Sequence, residues 1–320
     1  MLKKPHSPPI PPLLAISFGI LAVSTASIFI RFAQVDAPSL VIAAWRLSLA
    51  AIILLPLILF RHRNDLAGLT RWEIKLALLS GIFLALHFAT WITSLGYTTV
   101  ASSVVLVSTT PLWVAILSPI TVKEPLTRLI LTGMGMALIG GLVVGLSDSC
   151  TWLGTSLACP SLGDFIREKA FLGDLLAITG AIMGASYIII GRQLRSKMSL
   201  VSYIFVVYGM AAAVLIVIML GAGNKPFGYQ PLTYLWFLLL ALIPQLIGHS
   251  TFNWSLRYLT AAYVSITLLG EPIGSTILAY FFLRETPTIL KIFGAILILI
   301  GIYIASLSEV KSAPIRSNHG

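Results

Sequence analysis

The sequence predicts an all-α integral membrane protein of ten transmembrane helices, arranged as two inverted five-helix repeats offset by 161 residues. Three observations carry this. Of the 320 residues, 58% are hydrophobic and only 10% are charged, whereas a soluble domain carries roughly 25% charged residues. Too little polar side chain is present to cover a water-facing surface. The apolar residues also fall in runs of about 20, the length that crosses a hydrocarbon core of about 30 Å. Finally, the chain matches itself in register when it is moved along by 161 residues.

The apolar windows fall at 13–33, 39–60, 74–95, 98–119 and 127–146, then at 171–191, 201–221, 232–254, 260–283 and 288–308. Each is read as a helix. An open sheet edge has no place in lipid, and these windows are too long for barrel strands. The chain divides into a tail (1–12), a first repeat (13–146), a linker loop (147–170), a second repeat (171–308) and a tail (309–320). The N-terminus carries Lys3 and Lys4 before an apolar stretch too long for a secretory leader and without a small-residue cleavage site, so it is expected to remain as the first span.

The net charge of +10 does not point to nucleic acid. The basic residues sit mainly in short loops rather than along one soluble face. With the N-terminus cytoplasmic, 14 of the 21 fall inside, 6 outside, and Arg46 within a span. The positive-inside rule therefore places both termini in the cytoplasm. Cys150 and Cys159 have no metal-ligand spacing. They lie in the linker, expected outside, where a disulfide and two free thiols are both open readings.

The self-match is specific. Ser94-Leu95-x-Tyr97-x-Thr99-x-Ala101 falls on Ser255-Leu256-x-Tyr258-x-Thr260-x-Ala262. Pro111 falls on Pro272, Glu124 on Glu285, Thr127 on Thr288, Gly133 on Gly294 and Gly140 on Gly301, while Gly19 falls on Gly180 and Arg31 on Arg192. Five spans per half is an odd number, so the second half must cross the membrane upside down. Such inverted repeats recur in carriers, with a binding site at the repeat interface near the midplane.

The segments SLGYTTVASSVVLVSTTPLWVAILSPITVKEPLTRLILTGMGMALIGGLVVG and YLTAAYVSITLLGEPIGSTILAYFFLRETPTILKIFGAILILIGIYIA resemble the repeat of EamA-type proteins in the drug/metabolite transporter superfamily. The mid-helix Pro, the Glu closing the fourth span and the spaced glycines of the fifth carry the resemblance. AAWRLSLAA is similar to that family's second span, which often carries an Arg. The resemblance spans nearly the whole chain and implies secondary transport, with export across the cell membrane. Related proteins move amino acids, other metabolites, drugs or nucleotide sugars.

Several residues are candidates for substrate binding. Pro111 and Pro272 interrupt the fourth and ninth spans at equivalent points, and paired breaks of this kind are the best sequence pointer to a carrier's site. Glu271, mid-span beside Pro272, is costly in lipid and should face the bundle interior. Its repeat mate is Thr110. Arg46 in the second span is read equally as a site residue and as a brace between helices. His87 and Trp91 share a helix face four residues apart, and His249 and Asn253 repeat the theme on the eighth span. Glu124 and Glu285, at the junctions before the fifth and tenth spans, are expected to be structural, each near a helix start where a carboxylate interacts well with the macrodipole. Gly133, Gly140, Gly294 and Gly301 are expected at a close helix contact, with a dimer seam as one placement.

No HExxH, GxSxG or acid cluster suggests an enzyme, no repeated filter suggests a channel, and no nucleotide-binding motif is present. No cofactor, metal or nucleic acid is expected. The expected partners are the lipid bilayer and a small solute, neutral or zwitterionic and amino-acid-like, with nucleobases, sugars and drugs as alternatives. Protons are a candidate coupling ion and a homodimer a candidate assembly.

Overall fold

The computed structural model describes residues 8, 10–98, 100–149, 151–153, 156–158, 169–284, 286 and 288–312. Among these, seven helices are long and apolar enough to span a membrane: Pro12–Ala33, Ser39–Ala67, Arg71–Ser94, Phe171–Arg195, Leu200–Gly221, Pro231–Ser255 and Ala261–Phe282. Three shorter apolar helices, Thr110–Thr121, Arg128–Val143 and Ile292–Ala305, supply the fourth, fifth and tenth spans. Helix is forced by the solvent, since lipid offers the backbone no hydrogen-bond partner. Large apolar side chains such as Phe18, Ile52, Val217 and Phe281 point outward, while the inward faces carry many small residues, among them Ala43, Ala50, Ala77, Ala85, Ala181 and Ala211. This is how helices gain close contact when lipid is as apolar as leucine.

The packing pattern is that of a two-fold axis. The second span lies against the seventh, the fourth against the ninth and the fifth against the tenth, each a helix beside its own repeat mate. The third packs on the sixth, and their mates, the eighth and first, pack likewise. Within the fifth–tenth pair, a Cβ on Gly133 would lie 2.5 Å from the Gly301 carbonyl oxygen, and one on Gly140 would lie 2.6 Å from that of Gly294. The exchange of partners across the repeat marks where the axis passes. These glycines therefore serve a contact inside the chain, which corrects their placement at a dimer seam.

The turns after the fourth and ninth spans also match. Lys123 (φ 56°) and Arg284 (φ 57°) are the described non-glycine residues with left-handed backbone, and they are repeat mates. At the first of these turns Glu124 plays a structural part, and the helix start it meets is that of the ninth span. Its Oε2 accepts from the backbone N–H of Ala261 at 3.0 Å, the first residue of the ninth span, and its Oε1 accepts from Arg192 Nε at 2.5 Å. The left-handed Lys123 turns the chain so that the next side chain reaches across to the other repeat. Arg192 Nη1 also donates to the Leu256 carbonyl at 2.7 Å, so one cluster ties the turn after the fourth span to the ends of the sixth, eighth and ninth. Glu285 lies outside the described residues.

Two further differences concern boundaries. The second span continues through a wider-turn segment, Ile58–His62, to Ala67, so Arg61 and Arg63 ride on helix rather than in a loop. The linker, expected as loop, carries a small antiparallel hairpin: β1 (Thr151–Leu153) pairs with β2 (Ser156–Ala158), Thr151 opposite Ala158. Cys150 and Cys159 lie outside the described residues.

Candidate functional site

Two broken helices build the site. In the fourth span, the helix Val100–Val107 stops and resumes as Thr110–Thr121. In the ninth, Ala261–Thr267 gives way to a tight turn, Leu268–Gly270, before Glu271–Leu283. Pro111 and Pro272 explain the restarts. Each stands second in its resumed helix, where a missing N–H costs nothing and the fixed φ suits helix initiation. Thr110 and Glu271 are repeat mates and the first residues of those segments, at helix ends whose free N–H groups favour negative charge.

Both residues line one cavity of about 50 Å³, together with His87, Trp91 and His249. Five of the nine candidates from the sequence therefore meet at one place. The Thr110 hydroxyl donates to the Val107 carbonyl at 2.7 Å and lies 3.4 Å from that of Ala181, helping to satisfy the backbone at the break. Val23 and Ala26 of the first span also line it, and the neighbouring Ser24 hydroxyl donates to the Ile20 carbonyl at 2.7 Å and lies 3.4 Å from the Glu271 carbonyl.

His87 is held by the sixth span. Its Nδ1 lies 2.8 Å from the Gly180 carbonyl oxygen. A carbonyl can only accept, so Nδ1 carries the hydrogen, and in the neutral ring Nε2 is left with its lone pair. A side chain at Gly184 would press on this ring, 3.0 Å from Nδ1. The His87 and Trp91 rings stack at 5.9 Å, and the His249 ring stands 6.5 Å from that of His87. The indole Nε1 of Trp91 is buried with no hydrogen-bond partner among the described residues.

Beside the cavity sits Arg46, fully buried. Its guanidinium lies 4.1 Å over the Phe88 ring, which meets the rings of His249 at 5.3 Å and His87 at 4.9 Å. Nε donates to Gln245 Oε1 at 2.9 Å. Both terminal nitrogens of Arg46, and Gln245 Nε2, find no partner among the described residues. Each such orphan costs about 1–3 kcal/mol, and more when charged. Arg46 and Glu271 are near enough for each to act on the other's charge, yet no ion pair joins them. Gln245 comes from Ala241–His249, a wider-turn stretch that contains Pro244. Segments of this kind recur at functional sites because they aim side chains that a regular helix would bury elsewhere.

The EamA-like transporter family matches residues 11–146 and again 171–307. The chain belongs to that family. Similar curated proteins are the uncharacterized transporter YyaM of Bacillus subtilis, 26% identical over 82% of this chain and 83% of its own length, and an uncharacterized transporter of Archaeoglobus fulgidus, 23% identical over 93% of this chain and 97% of its own. A solved crystal structure aligns with a TM-score of 0.71 at 16% identity, covering 94% of this chain and 98% of that one, a likeness of fold. The protein is a multi-pass membrane transporter of EamA type.

Not every candidate residue of this EamA-like transporter reaches the cavity. The described lining leaves out Pro111, Pro272, Asn253 and Arg46. Pro272 instead borders an apolar groove of about 390 Å³ between the ninth and tenth spans, with Ile296 and Leu299. Asn253 is used by the scaffold. Its Nδ2 donates to the Tyr187 hydroxyl and, at 2.9 Å, to the His249 carbonyl, while its own carbonyl accepts from Arg195 Nε at 3.0 Å. Sequence reasoning missed Gln245 and the network around Tyr208, whose hydroxyl meets that of Ser250 at 3.2 Å. The available signal was Pro244-Gln245 in the middle of an apolar window. Among the described residues, no group of three His, Cys, Asp or Glu could hold a metal.

Proposed function

We propose that this EamA-like transporter is a secondary carrier that exports a small neutral or zwitterionic solute, amino-acid-like in chemistry, across the cell membrane by alternating access, with both termini cytoplasmic. The observation that carries the reading is the meeting of two repeat-related helix breaks at one cavity, with a carboxylate, Glu271, at one break and a hydroxyl, Thr110, at the other. Helix ends of this kind hold solute in other inverted-repeat carriers.

The cavity volume supports alternation. About 50 Å³ accommodates little more than water, whereas small-molecule pockets start near roughly 300 Å³. Polar ties close the bundle toward both faces. Arg192 binds Glu124 and the Leu256 carbonyl at one end, and Arg31 Nη2 donates to the Thr98 carbonyl at 3.0 Å at the other. Arg31 and Arg192 are repeat mates, so each end is tied by an arginine at the same repeat position. No nucleotide-binding motif occurs in the sequence, so the work comes from the solute's own gradient or from an ion. Glu271, His87 and His249 around one cavity make protons the ion to test, and catalysis forms no part of this reading.

The test is counterflow in proteoliposomes loaded with a mixture of amino acids and given the same labelled mixture outside. The expected result is saturable uptake of label, accelerated by internal solute and altered by an imposed pH gradient. Folded, inserted protein that gives no counterflow with any amino acid would overturn the substrate assignment.

A further inference from the structure

Arg46 and Gln245 form a buried group rich in donors and short of acceptors. A guanidinium has N–H donors and no acceptor, so only the amide oxygen of Gln245 can face Arg46 Nε, and its NH₂ group is left pointing elsewhere. The two terminal nitrogens of Arg46 and this NH₂ have no partner among the described residues. The guanidinium carbon lies 4.1 Å over the Phe88 ring, which leaves the in-plane N–H groups to be satisfied by other partners. Complete burial excludes the common rescue of such a residue, snorkelling to the interface. A ligand that completes the group must bring at least two acceptor oxygens in one plane, which is the geometry of a carboxylate on an arginine fork.

The position of Glu271 extends the match. It lies within electrostatic reach of Arg46 but is not ion-paired with it. A guanidinium and a carboxyl group that are not paired with one another in a protected interior suit a molecule that carries an acidic and a basic group a short distance apart. Neither residue has a charged repeat mate: Arg46 corresponds to Val207, Gln245 to Leu84 and Glu271 to Thr110.

We propose that Arg46 and Gln245 are the carboxylate-binding subsite of the transport site. The Arg46 Nη1/Nη2 edge grips the two oxygens, Gln245 Nε2 donates to one of them, and Glu271 takes the ammonium group of the same zwitterion. The proposal rests on the amino-acid reading above and adds to it which end of the solute lies where.

The experiment measures binding to the full chain in lipid nanodiscs by thermal stabilisation, with each proteinogenic L-amino acid and its matched amide as probes. The wild type is expected to prefer the amino acid over its amide by roughly ten- to a hundredfold, the worth of a charged hydrogen bond. Arg46→Gln should bring the two within about threefold of one another, and Arg46→Lys, which keeps the charge but not the fork, should fall between. Gln245→Glu supplies Arg46 with an internal carboxylate. It should raise the melting temperature of the ligand-free protein while abolishing amino-acid binding. Equal binding of acid and amide by the wild type, or an Arg46→Gln protein that is less stable yet keeps the preference, would overturn the subsite. If no amino acid binds the wild type, the amino-acid reading fails separately. Acetate and benzoate then decide the subsite: Arg46-dependent binding of either sustains it, and binding of neither removes it.

Discussion

The breaks in the fourth and ninth spans share a backbone and differ in chemistry. Both helices stop, turn and resume at the same repeat position, both carry Pro second in the resumed segment, and both end in a left-handed residue, Lys123 or Arg284. The side chains facing inward do not correspond. Thr110 stands opposite Glu271, Phe88 corresponds to His249, Gly248 to His87 and Val207 to Arg46. What both halves keep is the scaffold: prolines that end and restart helices, and glycines that let backbones touch. Part of what one half holds alone gathers around the cavity. In a molecule built by inverted duplication, repeat symmetry thus marks residues that shape the bundle, while the residues held by one half alone include both scaffold, such as Asn253 and Tyr187, and the cavity lining.

This comparison can be broken from either side. The largest effect belongs to the shared scaffold. Gly301→Leu would drive a side chain into the Gly133 backbone, where even a Cβ would lie 2.5 Å from the oxygen. Overpacking of this kind costs about 3 kcal/mol or more, and the expected result is loss of folded protein in a detergent-resistance or size-exclusion assay. Gly133→Leu should behave alike, because the two occupy the same crossing. A variant of either that folds and transports normally would show that the seam is not close-packed. Next comes Glu271→Gln. Removing one charged contact worth about 2–3 kcal/mol should cut counterflow by roughly thirty- to a hundred-and-fifty-fold while the melting temperature stays near that of the wild type. The smallest effect is expected for Thr110→Val at the equivalent position. It removes a hydroxyl bond to the Val107 carbonyl worth about 1 kcal/mol, so counterflow should fall no more than about fivefold. Equal losses at positions 110 and 271 would erase the distinction between the halves.

The sequence made the scaffold legible because scaffold residues are repeated. The ten windows, the 161-residue offset and the paired prolines all survive in the structure, and the breaks lie where Pro111 and Pro272 indicated. His87, Trp91, Thr110, His249 and Glu271 could be singled out because a polar or aromatic group in mid-lipid stands out on its own. Gln245 was harder to see. It corresponds to Leu84, so the repeat gave no hint of it, and its partner Arg46 lies 199 residues away. Asn253 was just as conspicuous as His249, yet its neighbour Tyr187 claims its amide. Polarity within a span indicates that a partner exists, and only the fold decides whether that partner is protein or solute. Glu124 makes the same point. Its place before the fifth span indicates a structural role beside a helix start, and a single left-handed residue directs it to the start of the ninth.

The most direct measurement exchanges the chemistry across the axis while leaving the scaffold alone. Amino-acid counterflow would be compared for the wild type, Glu271→Thr, and the double variant Glu271→Thr with Thr110→Glu. If both positions open onto one cavity at equivalent helix starts, Glu271→Thr loses transport and the double variant recovers a measurable part of it. Recovery should be incomplete, because Arg46 and Gln245 have not been moved. A folded double variant no more active than Glu271→Thr would contradict the account of a shared cavity on the repeat axis.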